Sequence, residues 1–229
     1  MALKNTFYGV WLISIIGGLS VLPYAYYLNL IPASTSFAHV LLASIANTAI
    51  MYGVLLFFSY LLLQRVGIKP FAQSFFQQVN GLSIMSGVTV GLILVGLNKF
   101  FFKSSALAQS AIIPPLWTRV MASLYGAINE EVLCRLFLLT LMYFVLNKCF
   151  AKREPLIMWG AITLSALFFG IAHLPAAFKI ISPSLFEVSR ILLLNGIAGI
   201  AFGYLYCTRG FWSGVIAHFT ADLVIHVFF

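Results

Sequence analysis

The sequence predicts an all-α fold: a polytopic membrane helical bundle of about seven transmembrane helices, with one short interfacial helix. Three observations predict it. Of 229 residues, 62% are hydrophobic and only 8% charged, whereas a soluble domain is about 45–50% apolar and about 25% charged. Mean hydropathy is +1.04. The apolar residues also fall in runs of roughly 20 or more, the length that crosses a hydrocarbon core about 30 Å thick. No water-soluble fold of this size hides so much apolar surface. A soluble cytoplasmic enzyme, a secreted disulfide scaffold and a disordered chain are therefore excluded. The whole chain, 1–229, reads as a single integral membrane domain of a multi-pass protein, expected in a bacterial cell membrane. Residues 1–115 read as helices without motifs and 116–229 as the core that carries the chemistry.

Each element follows from local pattern. The first run, Tyr8–Ile31, follows Lys4 and is longer than the roughly 7–15 residues of a signal-peptide core. It reads as a retained helix kinked near Pro23. The second, Phe37–Gln64, ends at Arg65. In the stretch Phe71–Gln78, Phe71, Phe75 and Phe76 recur at helical spacing among glutamines, which predicts an interfacial helix. The third crossing is Gly81–Leu97, and Pro114-Pro115 then breaks any helix. The fourth, Leu116–Leu146, ends in the most basic loop, with Lys148, Lys152 and Arg153. The fifth starts near Pro155, a favourable first helical position, and Leu174-Pro175 is expected to stop it after His173. The sixth, Phe186–Tyr206, carries Gly199-x-x-x-Gly203, a surface for close helix packing. Arg209-Gly210 turns the chain into the seventh, Phe211–Phe229.

The charge balance is 13 Lys+Arg against 5 Asp+Glu, a net +8. The bases lie mostly between apolar runs, where they meet lipid headgroups and set orientation. With the N-terminus inside, Lys4, Arg65, Lys69, Lys148, Lys152, Arg153 and Arg209 fall inside, against Lys99, Lys103, Arg119, Lys179 and Arg190 outside. The positive-inside rule thus favours N-in by a small margin. No basic stripe or aromatic–basic motif points to nucleic acid. The expected partners are membrane lipids and a membrane-associated peptide or protein. Cys134, Cys149 and Cys207 form neither a C-x-x-C pair nor a disulfide framework.

The acids decide the functional reading. Glu154 and Glu187 fall near loops, but Glu130, Glu131 and Asp222 fall inside predicted crossings. A charge near the bilayer centre costs about 2.5–3.5 kcal/mol on insertion scales, so an intramembrane acid marks a functional site by default. Glu131 and Arg135 stand at i and i+4 with the acid first, the favourable order for a helical ion pair. Glu130 points about 100° away around the helix. Glu131 is therefore expected to be neutralised by Arg135, and Glu130 to face a wet cavity as a proton-transfer group. His173 ends the fifth crossing. His218 and Asp222 share one face of the seventh at i and i+4, with His226 a turn further on, near the interface. His39 opens the second crossing and reads as interfacial. Glu130 is the candidate general base. His173, His218 and Asp222 are placed to bind a divalent metal such as zinc, or to stabilise the oxyanion of a tetrahedral intermediate.

In this order on successive apolar segments, Glu130-Glu131-x-x-x-Arg135, Phe169-x-x-x-His173 and His218-x-x-x-Asp222 resemble the CPBP family (CAAX protease and bacteriocin-processing, also called Abi) of intramembrane proteases. The resemblance covers roughly Leu116 to the C-terminus. It implies an all-helical intramembrane endopeptidase in which Glu130 and His173 activate water, while His218 and Asp222 stabilise the oxyanion, with Glu131, Arg135 and Phe169 in support. It leaves open whether a metal takes part. The last motif position, often Asn in the family, is Asp222 here. An ionised Asp only accepts hydrogen bonds, so Asp222 is expected to orient His218, ligate metal or act protonated. Other intramembrane protease types fit poorly. There is no His-Glu-x-x-His, only one Asp, and the wrong glycine spacing around Ser213. The rival readings are a bacteriocin-immunity or binding protein without proteolysis and a proton-coupled transporter.

Overall fold

The computed structural model describes residues 2–32, 34–106, 113–150, 154–182 and 184–228; Lys152, Arg153 and Phe229 lie outside the described residues. The described chain is helical and contains no strand. In order, the elements are α1 (Ala2–Ser20), α2 (Leu22–Tyr27), α3 (Phe37–Leu63), α4 (Phe75–Gln78), α5 (Gly81–Phe100) and α6 (Leu116–Tyr125). Two wide π-helical segments follow, π1 (Gly126–Glu130) and π2 (Val132–Leu139), then α7 (Thr140–Cys149), α8 (Glu154–Ala177), α9 (Leu185–Arg209) and α10 (Phe211–Phe228). Six described stretches are long and apolar enough to cross a membrane, the first being α1 and α2 together and the fourth running from α6 through α7. The seventh expected crossing is α10, an 18-residue helix that packs against α5, α6, π1 and α9.

Several boundaries differ from the pattern-based expectation, each for a local reason. The first helix starts earlier than Tyr8. It breaks at Val21 rather than bending at Pro23, because Pro23 occupies the first turn of α2, where its missing N–H costs nothing. It stops before Ile31 because Asn29 takes a left-handed φ of 53°, which short polar side chains tolerate. The interfacial helix is one turn, Phe75–Gln78, since Ser74 and Gln77 form a capping box that starts it there. Phe71 lies outside that turn and packs edge-on against Phe7 and Phe211. Pro175 does not stop α8 at His173. The proline removes one donor, and the following turn closes through Phe178 N–H to Leu174 O at 3.0 Å.

Within a bilayer, helices associate through close packing rather than escape from water. Gly199 shows how close. A methyl group there would stand 2.7 Å from Ala166 Cβ, so α8 and α9 nearly touch backbone to backbone. A core of Tyr52 and Leu56 (α3), Val132, Leu136 and Leu139 (π2), Ile157 and Ile162 (α8) and Tyr206 (α9) fills the centre. The start of α10 is pinned separately. Buried Gln78 donates to Pro70 O at 3.1 Å and accepts from the Trp212 backbone N–H at 2.9 Å. Ser213 Oγ donates to Gln78 O at 2.8 Å. Gly210, at φ 106°, lets the chain turn tightly against Gln78 and Pro70. These bonds set the height of His218 two turns further on.

Candidate active site

The structure brings Glu130, Glu131, Arg135, Phe169, His173, His218 and Asp222 into one cluster drawn from π1, π2, α8 and α10. Glu131, between the two π segments, and Arg135 are both fully buried, with Arg135 Nε 3.2 Å from Glu131 Oε2. This is a contact of charges rather than an aligned hydrogen bond. The guanidinium also lies 5.3 Å from the centroid of the Phe169 ring, a cation–π contact that helps offset its desolvation. Phe169 thereby touches the cluster on two sides, since its ring also packs edge-on to His173 at 4.7 Å.

His218 is held rigidly. Its Nδ1 donates to Glu131 Oε1 at 3.0 Å, and its ring stacks on Phe202 of α9 at 4.7 Å and 20°. The orienting role expected of Asp222 therefore falls to Glu131. Asp222 Oδ1 lies instead 3.8 Å from Nε2, the other ring nitrogen. The reason is rotation about the helix axis: Asp222 projects past the ring edge that faces Glu130, while Glu131 meets the opposite edge from across the bundle.

His173 Nδ1 sits 2.7 Å from the Phe169 carbonyl. A carbonyl only accepts, so Nδ1 carries the proton and Nε2 of the neutral ring presents a lone pair. That Nε2 is 3.9 Å from Glu130 Oε2, and His218 Nε2 is also 3.9 Å from the same oxygen. These gaps are too long for a direct hydrogen bond. A water placed about 2.8 Å from Glu130 Oε2 and from one ring nitrogen makes an angle of about 90° between them, close to its natural bond directions. Room exists for it: the side chains of Glu130, His173 and Asp222 are 23%, 35% and 24% exposed, against 6% for His218.

The floor of this hollow is bare backbone. A methyl group on Gly126 would stand 2.9 Å from Asp222 Oδ2 and 3.5 Å from His218 Nε2. Among the described residues, no group of three or more His, Cys, Asp or Glu side chains is disposed to hold one metal ion. The set His173, His218 and Asp222, as placed, does not fit a tight zinc centre.

A family model described as Type II CAAX prenyl endopeptidase Rce1-like matches residues 112–224. The chain belongs to the CAAX protease family. It is thus a protease, a hydrolase built into a helical membrane protein. The matched region covers about half of the chain and contains every residue of the cluster. No curated protein and no solved structure matches the chain.

Three features of the site escaped the sequence pattern. Phe202 reads as an ordinary apolar residue of the sixth crossing, and nothing local marks it as the platform for His218. Gly126, four residues before Glu130, carries a weak signal, since a helix interior gains nothing from glycine unless something approaches closely. The π turns were equally hidden. They interrupt a stretch that reads as one regular helix, and wide turns of this kind concentrate at functional sites. His39 stands apart at the start of α3. His226, expected to be an interfacial bystander, bonds Ser123.

Proposed function

We propose that the protein hydrolyses a peptide bond of a membrane-associated protein or peptide, with water activated by Glu130. The observation that carries this reading is convergence. Glu130, His173 and His218–Asp222 come from three distant segments, yet Glu130 Oε2 lies 3.9 Å from both ring Nε2 atoms and His218 Nε2 lies 3.8 Å from Asp222 Oδ1, around an accessible hollow.

The chemistry follows from the donors and acceptors. Water between Glu130 Oε2 and the His173 lone pair gives a proton to Glu130 as its oxygen attacks the substrate carbonyl carbon. The carbonyl π bond opens and its electron pair moves to oxygen. That oxyanion lies toward His218 Nε2, which donates a hydrogen bond to it when the ring carries both protons. The Nδ1–H bond to the buried Glu131 fixes which edge of the His218 ring faces the oxyanion. Glu130 then passes its proton to the leaving amine as the C–N bond breaks, releasing a carboxylic acid and an amine. The apolar surroundings strengthen each of these interactions.

The test uses the purified protein in lipid nanodiscs with a library of lipid-anchored peptides, products being read by mass spectrometry. The wild-type protein is expected to release new C-termini. Glu130→Gln is expected to release none while keeping its melting temperature. Wild-type cleavage by Glu130→Gln removes the general-base role.

A further inference from the structure

Helices α1 and α3 lie outside the matched region, and hydrolysis uses none of their side chains. They nevertheless reach the residue beside the proposed base. Asn129, the neighbour of Glu130 in π1, is fully buried. Its Nδ2 donates to the Ser14 carbonyl of α1 at 2.8 Å, across 115 residues of chain. The same amide meets the hydroxyl of buried Tyr52 in α3, which in turn meets the Tyr125 hydroxyl at the end of α6. Two successive glycines let these elements close. A methyl group on Gly17 would overlap Asn129 Oδ1, and one on Gly18 would stand 2.5 Å from Thr48 Oγ1, one turn before Tyr52 in α3. Trp11 Nε1 ties α1 to α3 again through Ala49 O at 2.8 Å. Small residues at such crossings let membrane helices approach closely.

Asn129 Oδ1 has no hydrogen-bond partner among the described residues. A buried acceptor left unpaired costs about as much as a hydrogen bond from the same amide returns, so Asn129 contributes little net stability. What it supplies is direction. Glu130 carries the reacting oxygen, yet among the described residues its carboxylate makes only the 3.9 Å contacts to the two imidazoles. Its two chain neighbours are both tied, and residues two apart point to nearly opposite sides of a helix. Asn129 is held by α1, and Glu131 by His218 of α10 at 3.0 Å. The π1 turn packs against both helices, and its wide backbone is a rare geometry that the two anchors hold in register. A reacting group must be held within about 0.5 Å by supporting contacts of this kind. We infer that Asn129 is a positioning residue: its bond to Ser14, seated by Gly17 and Tyr52, fixes the backbone of Glu130 so that the carboxylate stands between His173 and His218. Its effect on cleavage rests on the hydrolase reading of Glu130; its effect on where residue 130 sits does not.

Two measurements in nanodiscs separate positioning from packing. The first needs no substrate. In a Cys149→Ser, Cys207→Ala background, which leaves the buried Cys134 in place, Glu130→Cys and His173→Cys are treated with a short bis-methanethiosulfonate. Intact mass tells one bridge from two single labels. The bridge is expected to dominate with Asn129 in place, and two single labels with Asn129→Leu. A bridge that forms equally well in both, or in neither, overturns the positioning role. The second measurement is hydrolysis. Asn129→Leu is expected to lower kcat about 10²-fold, the cost of about 1 Å of misplacement, with KM and the melting temperature near wild type. A wild-type kcat, or a loss no larger than the loss of folded protein, overturns the role as well. If Asn129→Leu does not fold, Gly17→Ala, which pushes on Asn129 from the other side, is read by the same criteria; failure of both to fold makes the contact structural only. A bridge lost with Asn129→Leu in a protein that cleaves nothing removes the hydrolase reading and keeps the positioning role. Cleavage abolished by Glu130→Gln, while Asn129→Leu cleaves like wild type, does the reverse.

Discussion

Glu130 and Glu187 are both part-way or fully inside the protein, and they are treated in opposite ways. Glu187, near the start of α9, is buried with its carboxylate satisfied: Ser105 Oγ donates at 2.7 Å and the Ala106 N–H at 2.6 Å. Its own N–H is capped by Ser184 Oγ at 3.2 Å. One turn on, Arg190 Nε donates to Asn98 at 2.7 Å. This cluster ties α9 to the end of α5. Glu130 has no such fittings: its Oε2 faces two ring nitrogens across 3.9 Å gaps in an accessible hollow. A satisfied buried carboxylate rigidifies a fold. A carboxylate held near potential partners without bonding them is available to a water molecule. Glu131 stands between the two cases, buried like Glu187 yet wired to the site through His218.

Substitutions at these glutamates test that contrast. The largest effect is expected from Glu130→Gln, which removes the base without removing packing. Peptide release should fall by about 10²–10⁴-fold, the usual contribution of general acid–base catalysis, with thermal unfolding unchanged. Glu131→Gln should do the opposite first. It strands a buried guanidinium, which costs about 3–5 kcal/mol, so the protein should melt well below wild type, and whatever stays folded should cleave poorly because His218 has lost its charged partner. If Glu131→Gln is as stable as wild type, Arg135 is compensated elsewhere and the division between the two neighbouring glutamates fails.

Gly126→Ala probes the hollow directly. Its methyl group would meet Asp222 at 2.9 Å, and displacement of a site by about 1 Å can cost roughly 10²-fold in rate. Hydrolysis should drop by that order. The smallest effect belongs to Glu187→Ala. Hydrogen bonds to charged groups are worth about 1.5–3 kcal/mol, so its melting temperature should fall while the folded fraction cleaves at the wild-type rate. A selective loss of activity there would show that the α5–α9 clamp belongs to the site after all.

Much of this was legible before any fold was known. Composition alone demanded a membrane bundle, because apolar surface on that scale has no other home. Three acids in apolar stretches marked the chemistry, since each one is costly without a use. The i, i+4 spacing of Glu131 and Arg135 is a local property, and the pair forms. Other expectations failed because they depended on more than local spacing. His218 and Asp222 share the same spacing, yet the ring N–H that orients His218 goes to Glu131, 87 residues away, and not to Asp222. The proline at 175 looked like a stop signal, but one missing donor near a helix end is too small a defect to end α8.

By itself, then, the sequence determined the solvent the protein folds in, the approximate runs of its helices and which ionisable groups had to find partners. Those follow from transfer free energies and helical periodicity, which act over a few residues. Only the tertiary structure decided which carboxylate anchors an imidazole and which stays open to water. That choice depends on the rotation and height of helices far apart in the chain, set by glycine contacts such as Gly199 on Ala166, the wide turns around Glu131 and the anchoring of α10 through Gln78.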